Sequence, residues 1–293
     1  ITDKLLENNH INIPIEKRLY LSFTENEGDK VDKYKIIEEL KKNGILNDDP
    51  RIKNFISKLN MVKTSMISYE EFQYCLDNNI ILVKDILQRK LIIPYFNTFT
   101  DKIEEIYNNT LKLNGGACAD YIPQLKRVNP NQYGISICTI DGQRYNIGDT
   151  KVDFSVQSCC KPINYGIALE ELSEEIYHSY VGREPSGQSF NELALNKKGL
   201  PHNPLINAGA IMTSSLIKKD LSSAERFEYI VSIWEKLSGG IHKIGFNNPV
   251  FLGEKNTADR NFALAYFMKE INENKPTGFP EGSNINDTLD LYF

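Results

Sequence analysis

Apolar side chains recur at helical spacing through the first hundred positions of the chain. Residues 30–42 carry them three residues apart, and residues 52–59 repeat the pattern after Asp49-Pro50. This spacing places the apolar side chains on one face of a helix, and Pro50 stands where a first helical turn tolerates proline. Further helices are predicted near Tyr69, near Ile80 and over residues 102–113. The pattern therefore predicts a small helical bundle.

The pattern changes to strands after residue 116. Residues 133–140 alternate apolar and polar side chains, Asp141-Gly142 is a favoured hairpin turn, and residues 143–147 can return as the partner strand. We expect another short apolar strand over residues 154–157, one long helix over residues 162–180 and a loop over residues 182–204. Helices are also predicted over residues 208–218, 223–237 and 259–269. A sheet edge followed by many helices indicates an α+β fold whose remaining strands would follow.

The change of pattern divides the chain into two predicted domains, a helical module over residues 1–117 and a second domain over residues 118–293. The last residues, Leu289-Asp290-Leu291-Tyr292-Phe293, are rich in apolar side chains and stop without a polar tail. Folded domains seldom end within such a pattern. We therefore expect the chain to be truncated at its C-terminus, so that the second domain is incomplete.

The composition and charge narrow the class of protein. Of the 293 residues, 41% are hydrophobic and 25% are charged, which is typical of a folded globular chain. Lys and Arg total 34 against 39 Asp and Glu, a formal net charge of −5, so nucleic acid is not an expected partner. No apolar stretch approaches the roughly 20 residues that span a bilayer, and we expect no membrane partner. Five scattered cysteines without a C-x-x-C pair favour a reducing compartment over disulfides or a zinc site.

The helical module has turns similar to those of an EF-hand pair. Residues 25–29 are acidic with a glycine at position 28, and residues 67–72 resemble the entry into such a loop. The calcium ligands do not fit, because the first ligand position would be Phe23 and the bidentate glutamate would be Tyr34. We therefore predict a helical packing module and no metal site.

The sequence Ser158-Cys159-Cys160-Lys161 has the S-x-x-K spacing at a predicted strand-to-helix junction. Residues three apart share a helix face, so Lys161 can reach the Ser158 hydroxyl, and the helix start favours a developing alkoxide. To act as a base near pH 7, Lys161 needs a pKa about three units below its ordinary value, which burial can supply. The alternative is a helix cap followed by a surface lysine.

Five longer motifs, in order along the chain, resemble the serine-dependent, β-lactamase-like glutaminase family. They are 120–125 (DYIPQL), 157–162 (QSCCKP), 181–187 (VGREPSG), 201–211 (PHNPLINAGAI) and 259–263 (DRNFA). The resemblance extends from about residue 15 to residue 293 and includes the helical module of the animal enzymes. It implies an EF-hand-like module followed by an incomplete β-lactamase/DD-peptidase-like domain. It also implies hydrolysis of L-glutamine to L-glutamate and ammonia, with Ser158 as nucleophile and Lys161 as its activating partner.

The resemblance implies a substrate site for the glutamine zwitterion. The family's pattern places Glu254 on the substrate ammonium and Asn207, Asn261 and Tyr292 among the polar contacts, while Tyr121 lines the site beside Ser158. Each position also has a structural interpretation. Asn207 could cap a helix, Glu254 could be a solvated carboxylate, and Asn261 and Tyr292 could be ordinary helix and packing residues.

Family membership also implies partners and a compartment. It predicts a homodimer or homotetramer, no cofactor, inorganic phosphate as an activator, and a mitochondrial location, with the cytosol as the alternative because no transit peptide is visible. Glu192 and Ala194 depart from the kidney-type pattern in the gating loop, which puts the phosphate response in doubt. The family's later tyrosine and oxyanion strand would follow residue 293, so we expect this fragment to turn over little by itself.

Two other functions stay open at this point. A penicillin-recognising serine hydrolase shares the S-x-x-K spacing, and a non-catalytic regulatory or assembly subunit would explain a truncated chain. The zwitterion-binding residues and the helical module favour the glutaminase interpretation.

Overall fold

The computed structural model describes residues 13–24, 28–76, 79–240, 243–271 and 278–293. The chain forms two compact units: unit 1 comprises residues 1–116 and 131–152, and unit 2 comprises residues 117–130 and 153–293. The sequence predicts a single boundary after residue 117. In the structure the chain passes between the units three times, because the segment 131–152 groups with the helical residues.

The helical segment of unit 1 contains short helices and one small strand pair. The elements are α1 (Ile15–Leu21), β1 (Val31–Asp32), α2 (Lys33–Lys42), α3 (Lys53–Met61), β2 (Met66–Ile67), α4 (Tyr69–Leu76), α5 (Ile80–Leu87) and α6 (Phe96–Thr110). The predicted helices are confirmed, although Val31 lies in a strand that pairs with Ile67. Asp32 ends that strand and caps α2, because its carboxylate accepts a hydrogen bond from the Tyr34 backbone N–H at 3.0 Å.

The apolar faces of α1 to α5 form one core. Phe55 and Phe72 are fully buried and meet edge to face, with ring centroids 6.4 Å apart. The acidic turn predicted over residues 25–29 lies partly outside the described residues. In the parts of the chain that are described, no group of three or more His, Cys, Asp or Glu side chains could hold a metal ion.

The predicted hairpin is confirmed. β3 (Gly134–Cys138) pairs antiparallel with β4 (Arg144–Gly148), in a register that places Gly134 opposite Gly148. Gly142 in the turn has φ of 87°, a conformation that favours glycine. Gln143 connects the hairpin to the helices of unit 1, since its side chain is fully buried and bonds to the backbone of Asn43 and Ile93.

Unit 2 is largely helical in its described residues. Its elements are α7 (Pro123–Lys126), a 3₁₀ turn (Gln157–Cys159), α8 (Cys160–Leu172), α9 (Glu174–Tyr180), α10 (Asn207–Leu216), α11 (Ser223–Leu237), α12 (Asn248–Asn256), α13 (Asp259–Ile271) and α14 (Ile285–Tyr292). The helices predicted over 208–218, 223–237 and 259–269 are confirmed. No helix of the described chain is long and apolar enough to cross a membrane.

Two local predictions in unit 2 are wrong. Residues 154–157 form no strand: Phe154 is 78% exposed, and Gln157 has φ of +43°, which is incompatible with an extended strand. The single long helix over residues 162–180 is two helices, because Ser173 breaks it with φ of 65° and ψ of 160°. The break lets both helices contribute buried residues, such as Ile167 and Tyr177, to one core.

Helix α10 lies at the centre of unit 2. All of its residues are buried, and it packs against α8, α13 and α14. Its first turn is held close to the preceding loop, because a Cβ on Gly209 would collide with the Asn203 carbonyl oxygen. This close approach fixes the position of Asn207, the first residue of the helix.

Candidate active site

Lys161 is a buried charged residue of unit 2. It lies in the first turn of α8 with only 5% of its surface exposed, so the surface-lysine alternative is wrong. Its Nζ donates a hydrogen bond to Asn207 Oδ1 at 2.7 Å. Burial lowers the pKa of Lys161, although the nearby Cys160 and Glu254 oppose that effect. The amine is therefore a candidate base.

Ser158 lies one turn before Lys161, in the middle of the 3₁₀ turn Gln157–Cys159, and it is exposed. Its hydroxyl makes no hydrogen bond to any described residue, and its side chain does not cap α8. Lys161 Nζ, which the spacing predicts within reach of the Ser158 hydroxyl, donates its hydrogen bond to Asn207 and forms none with Ser158. Catalytic hydrogen bonds often form only in the substrate complex, so the pair stays a prediction.

Asn207 and Asn261 continue the hydrogen bond of Lys161 into a chain of three side chains. Asn207 is 8% exposed, and its Nδ2 donates to Asn261 Oδ1 at 3.0 Å. The lysine donor fixes the orientation of the Asn207 amide, with the oxygen toward Lys161 and the NH₂ toward Asn261. The residue at the cap position of α10 is Ile206, and the Asn207 side chain makes no capping hydrogen bond. The helix-cap interpretation of Asn207 is therefore wrong.

Glu254 and Tyr121 are brought together by Gln157. The Gln157 amide nitrogen donates to Glu254 Oε2 at 2.9 Å and to the Tyr121 hydroxyl at 2.7 Å. Burial raises the pKa of Glu254, while the hydrogen bond from Gln157 and the charge of Lys161 lower it. Burial also raises the pKa of Tyr121, although its side chain is 54% exposed. Glu254 is therefore a partly buried carboxylate and not a fully solvated one.

Tyr292 lies at the end of α14 and faces the same region. It lines a cavity of about 10 Å³ together with Cys160, Lys161, Asn164, Ala210, Thr213 and Ser214. Burial raises the pKa of Tyr292, and the negative charge of Glu254 adds to the effect. The phenol therefore stays protonated and can donate a hydrogen bond.

The structure thus brings the predicted site residues together in one unit. Lys161, Asn207 and Asn261 form one hydrogen-bonded chain, and Tyr121 and Glu254 share Gln157. A buried amine, a carboxylate and several neutral donors can bind an amino-acid zwitterion and activate a nearby hydroxyl.

Gln157 is the residue that the sequence analysis did not single out. It stands directly before Ser158 in one of the five motifs, yet its residue type suggests no chemistry by itself. The sequence signal for Gln157 is its position directly before the expected nucleophile, Ser158.

Comparison with known proteins identifies relatives of both parts of the chain. Residues 116–293 match the glutaminase family, and residues 15–94 match the EF-hand domain. The rat mitochondrial liver isoform of glutaminase is 41% identical over 279 residues, which cover 93% of this chain and 45% of the rat protein. Glutaminase 2 of Clostridium perfringens is 42% identical over 191 residues, 64% of this chain and 60% of the bacterial protein.

Solved structures give the same result for the fold. A structure titled probable glutaminase ybaS superposes with a TM-score of 0.60 at 29% identity, over 67% of this chain and 61% of that one. The native form of Mglu gives 0.58 at 29% identity, over 66% and 45% of the two chains. The predicted fold class, a helical EF-hand-like module followed by a domain of the β-lactamase-like glutaminase fold, is confirmed. The chain spans less than half the length of the rat relative.

Proposed function

The chain belongs to the glutaminase family, and on that premise we propose that the protein that carries it hydrolyses L-glutamine to L-glutamate and ammonia. The observation that carries the proposal is the buried Lys161 amine, bonded to Asn207 one turn after Ser158. A neutral amine has two N–H donors and one lone pair. Because Asn207 Oδ1 takes one N–H, the lone pair is left for the Ser158 proton.

The proposed reaction has two steps. Ser158 Oγ attacks the carbonyl carbon of the glutamine side-chain amide while its proton passes to Lys161 Nζ, which then protonates the leaving nitrogen. Ammonia departs and a glutamyl ester on Ser158 remains. Water then attacks the ester, with Lys161 accepting the water proton and returning it to Ser158 Oγ. The lowered pKa of Lys161 supports its role as the proton carrier.

The remaining residues are proposed to bind the substrate. Glu254 pairs with the ammonium group, since it is the partly buried carboxylate beside Lys161. Asn207, Asn261 and Tyr292 supply polar contacts to the substrate. Tyr121 lines the site, where its hydroxyl accepts a hydrogen bond from Gln157. Neutral donors suit a carboxylate because they bind it without adding charge to the site.

The nucleophile is tested by Ser158→Ala in the protein that carries this chain. We expect ammonia release from L-glutamine to fall by at least about 1000-fold, because a serine nucleophile has no substitute once its oxygen is removed. A diazoketone analogue of glutamine should label the Ser158 peptide of the unsubstituted protein, as detected by mass spectrometry.

The matched control is Ser232→Ala in α11, where the hydroxyl bonds only to the Tyr229 carbonyl of its own helix. This variant should keep its activity. Retained turnover in Ser158→Ala would exclude Ser158 as the nucleophile. Hydrolysis of a chromogenic β-lactam instead of glutamine would favour a penicillin-recognising enzyme.

We also propose a homodimer or homotetramer, activation by inorganic phosphate without a further cofactor, and a mitochondrial location rather than a cytosolic one. The mitochondrial location is supported by the name of the rat relative, a mitochondrial liver isoform. The assembly and the phosphate response rest on the family resemblance of the sequence.

A further inference from the structure

Gln157 has a backbone conformation that most residues avoid. Its φ is +43°, in the left-handed region that favours glycine, and it is followed directly by Ser158. Residues other than glycine are held in this region only where surrounding contacts fix them, and they cluster at functional sites. The contacts of the Gln157 side chain are therefore the place to look for the reason.

Both the oxygen and the NH₂ group of the Gln157 side-chain amide form hydrogen bonds. Ser155 Oγ donates to Gln157 Oε1 at 2.5 Å, which orients the amide with its oxygen toward Ser155. The two hydrogens of Nε2 then go to the Tyr121 hydroxyl oxygen and to Glu254 Oε2. Both donors of the NH₂ group are occupied. The amide thus connects two site residues that come from different segments of unit 2.

These hydrogen bonds determine what the two partners can do. Because the Tyr121 oxygen accepts from Gln157, its own O–H remains available to donate to another acceptor. A donor to a carboxylate stabilises the charged form, so Gln157 lowers the pKa of Glu254 against the effect of burial. Within the described part of the chain, the other ionisable groups that interact with Glu254 are Lys161, Cys160, Tyr121 and Tyr292.

We propose that Gln157 is a positioning residue, which holds Glu254 and Tyr121 in their substrate-binding arrangement, and that its left-handed backbone serves to aim its side chain at them. The kinetic part of this inference rests on the proposed function. Without Gln157, Glu254 would take up a proton at higher pH, and below that pH the substrate ammonium would lose its anionic partner.

The test is Gln157→Met, which keeps the length of the side chain but removes its donors. Since a hydrogen bond to a charged group corresponds to about a 10-fold to 100-fold change, we expect KM for L-glutamine to rise by that factor, with a smaller change in kcat. The acid limb of kcat/KM should move to higher pH. Ser155→Ala should also raise KM and move the acid limb to higher pH, but by less than Gln157→Met. The Gln157 amide keeps its donors in that variant and loses only its fixed orientation.

A second measurement does not depend on turnover. In protein with ¹³C-labelled glutamate side chains, the Glu254 carboxyl, assigned with Glu254→Gln, should titrate at higher pH in Gln157→Met than in the unsubstituted protein. If the unsubstituted protein does not hydrolyse glutamine, the proposed function fails, but this titration still tests Gln157. The control Gln132→Met replaces an exposed glutamine of unit 1 and should leave both readouts unchanged.

The role of the left-handed backbone conformation at position 157 is tested by comparing Gln157→Gly with Gln157→Ala. Both remove the side chain, but only glycine relieves the positive φ, so Gln157→Gly should unfold at the higher temperature of the two. Equal unfolding temperatures would contradict the backbone argument. An unchanged KM together with an unchanged Glu254 titration in Gln157→Met would overturn the positioning role.

Discussion

The acceptor of the Lys161 hydrogen bond is a neutral amide. Lys161 Nζ donates to Asn207 Oδ1, and Glu254, the carboxylate whose charge acts on Lys161, bonds to Gln157 instead. An amide oxygen accepts the hydrogen bond without the strong preference for an ammonium ion that a carboxylate would add. Asparagine at position 207 therefore orients the amine while leaving its pKa lowered by burial.

Asn207→Asp tests this argument with almost no change in shape. A carboxylate 2.7 Å from Lys161 Nζ would stabilise the protonated amine, and an opposite charge at such a distance raises the pKa by about one to three units. The base form then appears only at higher pH. We expect the acid limb of the kcat–pH profile to move upward by a similar amount, and kcat at neutral pH to fall by about 10-fold or more.

The control for this prediction is Asn248→Asp, which places the same charge at an exposed position at the start of α12. That variant should leave the profile unchanged. A profile of Asn207→Asp with the same acid limb as the unsubstituted protein would mean that Lys161 is not the group that titrates.

Single residues differ in how well the sequence predicts them. Lys161 and Asn207 are found because their motifs resemble those of a known family, and Glu254 is found because the family's pattern extends to it. The structure then places Lys161 and Asn207 in contact. The burial that lowers the pKa of Lys161 depends on α10 and α14 packing around it, which local sequence does not show. The role of Gln157 is not predicted for the same reason, because its partners Tyr121 and Glu254 are distant in sequence.

At the scale of elements, the break between α8 and α9 arranges the core of unit 2. The turn at Ser173 allows Tyr177 in α9 to reach α10, where its hydroxyl lies 2.7 Å from Thr213 Oγ1. Thr213 donates its own hydrogen to the Gly209 carbonyl at 2.8 Å, so Tyr177 must be the donor to Thr213. Burial raises the pKa of Tyr177, which keeps that donor protonated.

Ser173 holds this break in a conformation that only glycine adopts easily. Its φ of 65° and ψ of 160° cost a residue with a Cβ about 1–3 kcal/mol, and its side chain makes no capping hydrogen bond. Part of the gain from glycine is lost to its greater freedom in the unfolded chain. We therefore expect Ser173→Gly to raise the free energy of unfolding by about 1 kcal/mol, measured by urea denaturation.

The same substitution within a regular helix provides the contrast. Ser232 lies inside α11, where glycine disfavours the helix, so Ser232→Gly should lower the free energy of unfolding by about 0.5–1 kcal/mol. Destabilisation by Ser173→Gly would show that the Ser173 conformation carries no recoverable strain.

Most helices and the β3–β4 hairpin follow the sequence prediction, whereas α12 does not. α2, α3 and α11 follow their spacing closely, whereas α12 has no buried residue and is not predicted. Its start does have a local signal, because Asn247 caps it and Pro249 follows in the first turn. The strand predicted over residues 154–157 does not form, since a short segment with apolar side chains does not specify a strand without a neighbouring strand to pair with.

At the scale of the whole molecule, the hairpin belongs to unit 1 through several contacts, one of which is a fully buried side chain. Gln143 is fully buried, and its Nε2 donates to the carbonyl oxygens of Asn43 and Ile93, both at 3.0 Å. Its Oε1 accepts from the Ile93 N–H at 2.9 Å. The amide therefore satisfies backbone groups of two segments that are about 50 and 100 residues away in sequence.

Gln143→Met measures how strongly this amide holds unit 1 together. Methionine fills a similar volume but leaves three backbone groups without their partner, and each lost hydrogen bond costs about 1 kcal/mol. We expect unit 1 to lose about 3 kcal/mol of stability, seen as faster hydrogen exchange in α2, β3 and β4. Gln73→Met, at an exposed position of α4, should leave exchange unchanged. Unchanged exchange in Gln143→Met would show that the other contacts of the hairpin, such as the hydrogen bond from the Arg144 N–H to the Gly44 carbonyl, hold unit 1 without this amide.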